Sequence, residues 1–323
     1  MNTLLKIIML CGLLVGTAYA ENTPTDSATP APKQISAQAM DRDSTCTTCH
    51  DENETKPILS IYQTAHGNKA DSRTPSCQSC HGQSEKHLSS KKSAPDVIFG
   101  AKTTGAFAPN ASKDQNTACL SCHEKDPTRT HWQGGAHQAA DLACTSCHVV
   151  HNAHDKVRDK VTQKDVCFTC HTDQKSQVNK FSHHPIPEGK IACSDCHNPH
   201  GSAGPKLLLK NTVTETCYTC HAEKRGPFLW EHQPVTEDCT NCHTPHGSNV
   251  TPLLKSRPPF MCDECHDGPH NSKNPAAGNA AGIQGGLTGT PANPSTSYTG
   301  RACLNCHSMV HGSNDPAGAL LQR

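Results

Sequence analysis

C-S-D-C-H-N-P-H-G-S (193–202), C-Y-T-C-H (217–221), a lone His232 and C-T-N-C-H-T-P-H-G-S (239–248) state one unit of sequence and then repeat it. Every C-x-x-C in this stretch is followed at once by His, the pattern that attaches a c-type haem. The chemistry accounts for the spacing. Two thiols three residues apart share one helical turn and can form thioethers to the two vinyl groups of a single macrocycle. The next residue then offers its imidazole to the iron.

Outward from this stretch the motif occurs ten times and uses twenty of the twenty-one cysteines. The cysteine pairs are Cys46/Cys49, Cys77/Cys80, Cys119/Cys122, Cys144/Cys147, Cys167/Cys170, Cys193/Cys196, Cys217/Cys220, Cys239/Cys242, Cys262/Cys265 and Cys303/Cys306. The proximal iron ligands that follow them are His50, His81, His123, His148, His171, His197, His221, His243, His266 and His307. A zinc ribbon or a redox dithiol needs no His at that position. Ten out of ten by chance has a probability on the order of 10⁻¹² at this histidine content. The expected cofactor is therefore haem c, ten per chain.

Hydrophobic residues make up 33% of the sequence and aromatics 4%, beside 23 prolines and 22 glycines. Such a chain buries too little apolar surface of its own to offset its conformational entropy. Ten macrocycles supply the missing core, with about thirty residues wrapped around each. The fold class expected is a multihaem cytochrome c: few short α-helices, mostly coil around ten haems, and no significant sheet. The formal net charge is zero, and haem propionates make the loaded protein negative. No basic run exceeds Lys91-Lys92, which argues against nucleic acid as a partner.

Residues 1–20 read as a signal peptide, with Lys6, an apolar segment from Ile7 to Gly16, and Ala18-Tyr19-Ala20 as the cleavage site after Ala20. Cys11, the one cysteine outside the motifs, falls within it. Beyond Ala20 no apolar run approaches the ~20 residues that span a bilayer, so the expected location is the periplasm. Residues 21–44 read as a flexible leader.

From Cys46 the motifs alternate between two kinds. Those at Cys144, Cys193, Cys239 and Cys303 are followed closely by a second His; those at Cys119, Cys167 and Cys217 are not. Five dyads result, pairing motifs 46 with 77, 119 with 144, 167 with 193, 217 with 239, and 262 with 303, in a one-dimensional array. Two inserts, Ser89 to Gln115 and Asn271 to Gly300, read as surface loops. The motifs should ride on short helical turns, broken by Pro185, Pro199, Pro245 and Pro259.

Thirteen histidines lie outside the motifs. Every dyad has at least one between its motifs and one after the second. In order they are His66 and His87; His131 or His137, then His151 or His154; His183 or His184, then His200; His232 and His246; His270 and His311. His137 precedes its next motif by seven residues, as His232 does, and His151 follows its motif by seven, as His200 and His246 do. Those spacings favour His137 and His151, and Pro185 tips the third choice toward His184. The distal ligands expected are thus His66, His87, His137, His151, His184, His200, His232, His246, His270 and His311. A close His three residues beyond its own motif cannot easily reach the far face of the same macrocycle, so it should bind a neighbour's iron. Bis-His iron has no open site and sits at low potential, which points to outer-sphere electron transfer and not to an enzyme. An enzyme of this class needs an open iron site, often signalled by a C-x-x-C-K, and none occurs.

With these segments, with C-Y-T-C-H-A-E-K-R-G-P-F-L-W-E-H ending at His232, and with R-A-C-L-N-C-H-S-M-V-H-G-S-N and the final L-L-Q-R, the chain resembles the MtrA/DmsE family of periplasmic decahaem cytochromes c. The resemblance implies ten bis-His haems in an elongated molecule of two pentahaem halves, 45–180 (haems 1–5) and 181–323 (haems 6–10). It also implies insertion into an outer-membrane β-barrel porin. Electrons would then pass between a periplasmic or inner-membrane cytochrome donor and an extracellular multihaem cytochrome or surface reductase, in metal reduction or DMSO-type respiration. The alternative is a soluble periplasmic carrier or store without a barrel.

Overall fold

A computed structural model describes residues 41–54, 56–67, 74–101, 106–266, 303–316 and 318–322. The expected signal peptide, nearly all of the leader, His270 and the insert 271–300 lie outside the described residues. By its contacts the chain divides at Gln34, and every described residue belongs to the unit Ile35–Arg323.

All ten motifs sit on a helical turn. Those at Cys46, Cys77, Cys119, Cys167 and Cys217 start within or end α-helices Ser44–Thr47, Cys77–His81, Ser112–His123, Gln163–Cys167 and Val213–Tyr218. The other five open 3₁₀ turns: Cys144–Ser146, Cys193–Asp195, Cys239–Asn241, Cys262–Glu264 and Cys303–Asn305. The turn follows from the motif, because the His N–H donates to the carbonyl of the first Cys four residues back. That bond is 2.9 Å at His197 and 3.0 Å at His148, and it fixes both thiols and the imidazole on one side. Among the described residues there is no strand, only isolated bridges such as Ser182 with Ser248 and Trp230 with Ser313.

Within a dyad, a buried polar side chain just ahead of the first motif ties it to the second. Asp43 accepts from the Tyr62 hydroxyl at 3.1 Å and from the Cys77 N–H at 3.1 Å. Asn116 accepts from the Cys144 N–H at 2.7 Å and donates to the Leu142 carbonyl at 3.0 Å. Gln163 accepts from the Ser194 N–H at 2.9 Å, and Thr214 donates to the Glu237 carbonyl at 3.1 Å. Each satisfies a backbone group that the irregular chain leaves without a ladder partner.

The insert Ser89 to Gln115, read as plain connection, does more than connect. Val97 and His81 exchange two bonds, backbone N–H to carbonyl at 3.2 Å and His81 Nδ1 to the Val97 carbonyl at 2.9 Å, and Phe99 meets the His81 ring edge-on at 5.2 Å. The apolar patch is thus a wall of the second motif. The core of side chains is thin: the buried hydrophobic residues described are Tyr62, Trp132, Ala143, Val178, Ile186, Ala192 and Leu254, while Phe181, Leu229, Phe260 and Leu320 are exposed.

Candidate haem-binding sites

Nine motif histidines each face one histidine from outside the motifs. His50 faces His87, His81 faces His151, His123 faces His66, His148 faces His200 and His171 faces His137. His197 faces His246, His221 faces His184, His243 faces His311 and His266 faces His232. The centroid separations run only from 5.9 Å to 6.3 Å. Metal–nitrogen bonds of about 2.0 Å on each side would set two axial imidazoles at about 6.2 Å between centroids. The interplanar angles range from 10° to 86°, the freedom expected of rings turning about one N–metal–N axis. The residues therefore fit an iron between each pair. His307 is described, but His270, the distal histidine expected in its dyad, lies outside the described residues.

The other choices among neighbouring histidines are also placed. His184 has its ring 6.3 Å from that of His221. The adjacent His183 binds the Lys180 carbonyl at 2.6 Å and Glu188 at 3.3 Å. His131 contributes its backbone carbonyl to the packing under Gly201, and the His154 N–H donates to Asn152 at 3.0 Å.

Each close histidine faces the motif of another dyad, so His200 meets His148 and not His197. Reciprocal contacts build the clasp. Nδ1 of His137 donates to the Pro199 carbonyl at 2.7 Å, that of His184 to Pro245 at 2.7 Å and that of His232 to Val310 at 3.0 Å. Each acceptor immediately precedes the next dyad's own outward-facing His, so the two distal rings of a clasp position one another. Ser182 and Ser248 exchange backbone bonds of 2.9 and 2.8 Å, and Trp230 and Ser313 two of 2.9 Å. The glycine of P-H-G-S lets the strands of the clasp meet. A Cβ at Gly201 or Gly247 would overlap the carbonyl of His131 or Gln177, and Gly201 has φ of 114°.

The attachment cysteines alternate in the same order. Inside each dyad the first cysteines are hydrogen-bonding neighbours: Cys46 with Cys77, Cys119 with Cys144, Cys167 with Cys193, Cys217 with Cys239 and Cys262 with Cys303. Between dyads the second cysteines approach: Cys80 with Cys122, Cys147 with Cys170, Cys196 with Cys220 and Cys242 with Cys265.

Every first cysteine is half-buried, whereas most second cysteines are exposed as thiols, Cys49 and Cys306 among them. The second cysteines that differ are Cys80 and Cys242, which are half-buried like the first ones.

As thiols the paired cysteines polarise each other. The hydrogen bond from Cys119 brings Cys144 down to about 7, and that from Cys217 brings Cys239 down to about 6. Burial pushes His81, His200, His243, His246 and His311 below the usual imidazole range. That favours the neutral ring a metal requires.

Sequence reasoning named the nine outer histidines that face motif rings among the described residues, but not who faces whom, nor the buried polar residues Asp43, Asn116, Gln163 and Thr214. A signal for three of these existed: Asp43, Asn116 and Thr214 each stand three residues before the first Cys of a dyad.

Residues 183–226 and 232–271 match the doubled CXXCH motif, and residues 77–163 match the cytochrome c-type protein NrfB-like family. The multiheme cytochrome MtrA of Shewanella baltica (strain OS185) is 44% identical over 282 residues, 86% of this chain and 80% of that protein. The cytochrome c-type protein NrfB of Haemophilus influenzae is 33% identical over 35% of this chain and 53% of its own length. The NrfB of Escherichia coli O6:H1 is 28% identical over 53% of this chain and 87% of its own length. With 44% identity over most of both chains, laid over repeated C-x-x-C-H turns, the chain belongs to the MtrA family of multihaem c-type cytochromes and is a haem c protein of electron transfer.

Proposed function

We propose that the chain holds ten haems c, each iron closed by two imidazoles, and conducts electrons along them across the outer membrane from within a β-barrel porin. The proximal ligands are the ten motif histidines. The distal ligands are His87, His151, His66, His200, His137, His246, His184, His311 and His232 for the first nine motifs in order, and His270 for His307. The observation that carries this reading is the set of nine imidazole pairs at one metal-spanning distance.

When bound, the haems supply one-electron ferric–ferrous exchange, and closure of both axial positions keeps that exchange outer-sphere. The distal rings do the closing, and those of His87, His137, His151, His184 and His232 are each aimed by a carbonyl that holds the Nδ1 proton. The cysteines set the order of contact, first-to-first within dyads and second-to-second between them, so that successive haems adjoin from the first motif to the tenth. Cys49 and Cys306 then mark the two ends of the series, where electrons enter and leave. The proposed halves, 45–180 and 181–323, meet across the His148–His200 pair as parts of one ladder. With its faces closed to substrate, the chain is a conductor and not an enzyme.

A barrel is the partner that fits. Among the described residues no helix is long and apolar enough to cross a membrane, yet the hydrocarbon layer is about 30 Å thick. A chain with so much irregular backbone can pass it only inside protein. The donor is a periplasmic or inner-membrane cytochrome, and the acceptor an extracellular multihaem cytochrome or surface reductase.

Purification of the exported, tagged protein tests this in two steps. Pyridine haemochrome content should give ten haems per chain, and electron paramagnetic resonance should show low-spin iron alone. The tag should also retain an outer-membrane barrel, and the pair in liposomes should pass electrons from an enclosed reductant to an external acceptor. Full haem loading with no barrel retained would make the protein a free periplasmic carrier. A high-spin ferric signal of about one haem per chain would revive a catalytic role.

A further inference from the structure

This inference deepens the proposed function and rests on its haem reading of the motifs. Five motifs come second in their dyads, and their histidines can be compared ring by ring. In four, Nδ1 donates to a backbone carbonyl: His81 to Val97 at 2.9 Å, His197 to Lys206 at 2.9 Å, His243 to Pro252 at 2.9 Å and His307 to Leu320 at 2.7 Å. His148 differs. Its Nδ1 lies 2.7 Å from Oδ2 of Asp155, and Oδ1 of the same carboxylate accepts the Val149 N–H at 3.3 Å. The side chain of Asp155 is 19% exposed, so solvent does not dissolve the contact.

A carboxylate brings a full negative charge where the other four rings meet a carbonyl dipole. It draws the Nδ1 proton toward itself and makes Nε2 a stronger electron donor to whatever metal it binds. A more electron-rich axial ligand favours ferric over ferrous iron. On the opposite side the charge of Arg129 acts on His200, and that cation is already paired with Asp126 at 2.9 Å. Two first-of-dyad histidines also stand near a carboxylate, His50 with Glu54 at 3.1 Å and His221 with Glu223 at 3.7 Å. In both pairs each side chain is more than a third exposed, where water screens the charge.

We propose that Asp155 is a positioning residue that sets the fourth haem to the lowest potential among the five second-of-dyad sites, placing a step in the array. An electron there leaves for a neighbour more readily than it arrives: one ferrous iron becomes ferric as the adjoining ferric iron becomes ferrous, and no other bond changes.

The test is Asp155→Asn in the full haem-loaded chain, with Asp155→Glu as the conservative variant. Haem content and electron paramagnetic resonance are taken first, then an optical redox titration with mediators. The Asn variant should keep ten low-spin haems while about one tenth of the titration amplitude moves to higher potential. The expected shift is about tenfold in that site's reduction equilibrium, or ~59 mV for a one-electron couple. The Glu variant should restore most of it. A titration unchanged within twofold overturns the proposal. So does a new high-spin tenth in the Asn variant, because Asp155 would then only hold the ring in place. Wild-type protein lacking ten low-spin haems would instead sink the proposed function, before any variant is compared.

Discussion

In the third dyad every ligand-type histidine looks outward. His171 faces His137 and His200 faces His148 of the second dyad, while His197 faces His246 and His184 faces His221 of the fourth. In the first dyad, His66 and His151 make the same exchange with the second, but His87 turns back onto His50 of its own dyad. The difference is that of an interior repeat and an end cap. A repeat array needs neighbours to complete each unit, and its terminal unit must complete itself.

The sharpest way to break this comparison is to remove one distal ring from each region. His200→Ala should open one iron in ten, seen as a high-spin fraction of about a tenth, and should also part the second dyad from the third. Thermal unfolding should then lose cooperativity and split into two transitions. His87→Ala should give the same spin change with a single transition, since it cuts no link between dyads. Equal damage to the melting curve from both would remove the distinction between interior and cap.

The next largest effect falls on the clasp itself. Gly201→Ala forces a Cβ into the His131 carbonyl at a backbone angle that L residues avoid. A loss of about 3 kcal/mol or more in denaturant unfolding is expected, with the His148 site the first to show open iron. Below that stands the tie within a dyad. Asn116→Ala leaves the Cys144 N–H and the Leu142 carbonyl without their partner, which should cost about 1–3 kcal/mol without changing any spin state.

How far these features could be read in advance follows from their range along the chain. The C-x-x-C-H turn is local, closed by a bond from His to the Cys four residues back, and so it was fully legible. The distal set was nearly as legible, because seven-residue spacings recur around Cys144, Cys193 and Cys239. Which ring meets which was not, since Nδ1 of His137 and the Pro199 carbonyl are 62 residues apart and Nδ1 of His151 and the Ile58 carbonyl 93. Composition gave no hint of such pairings. The Val97-Ile98-Phe99 patch misled for the opposite reason: three apolar residues amid Gly, Pro and Lys look like a loop whether or not they close on His81. The glycine of P-H-G-S was visible as a repeated letter, but its cause, a carbonyl from another dyad, was not.

The smallest expected effect separates two adjacent residues. His184 faces His221, while His183 is held above the ordinary imidazole range by the Lys180 carbonyl first and Glu188 second. A group whose folded value is raised contributes stability that is complete below its unfolded value near 6.5 and fades as pH climbs through the raised one. Because His183 is only half-buried and its partner Glu188 is 48% exposed, solvent screens the pair and that contribution is slight. His183→Ala should therefore leave haem content and spin state unchanged and show only a small loss of stability at about pH 5.5 that vanishes by about pH 9. His184→Ala should expose one iron at every pH. If the two variants exchanged these behaviours, the iron ligand in this clasp would be His183, and the contact between His184 and Pro245 would lose its meaning as the device that aims the ring.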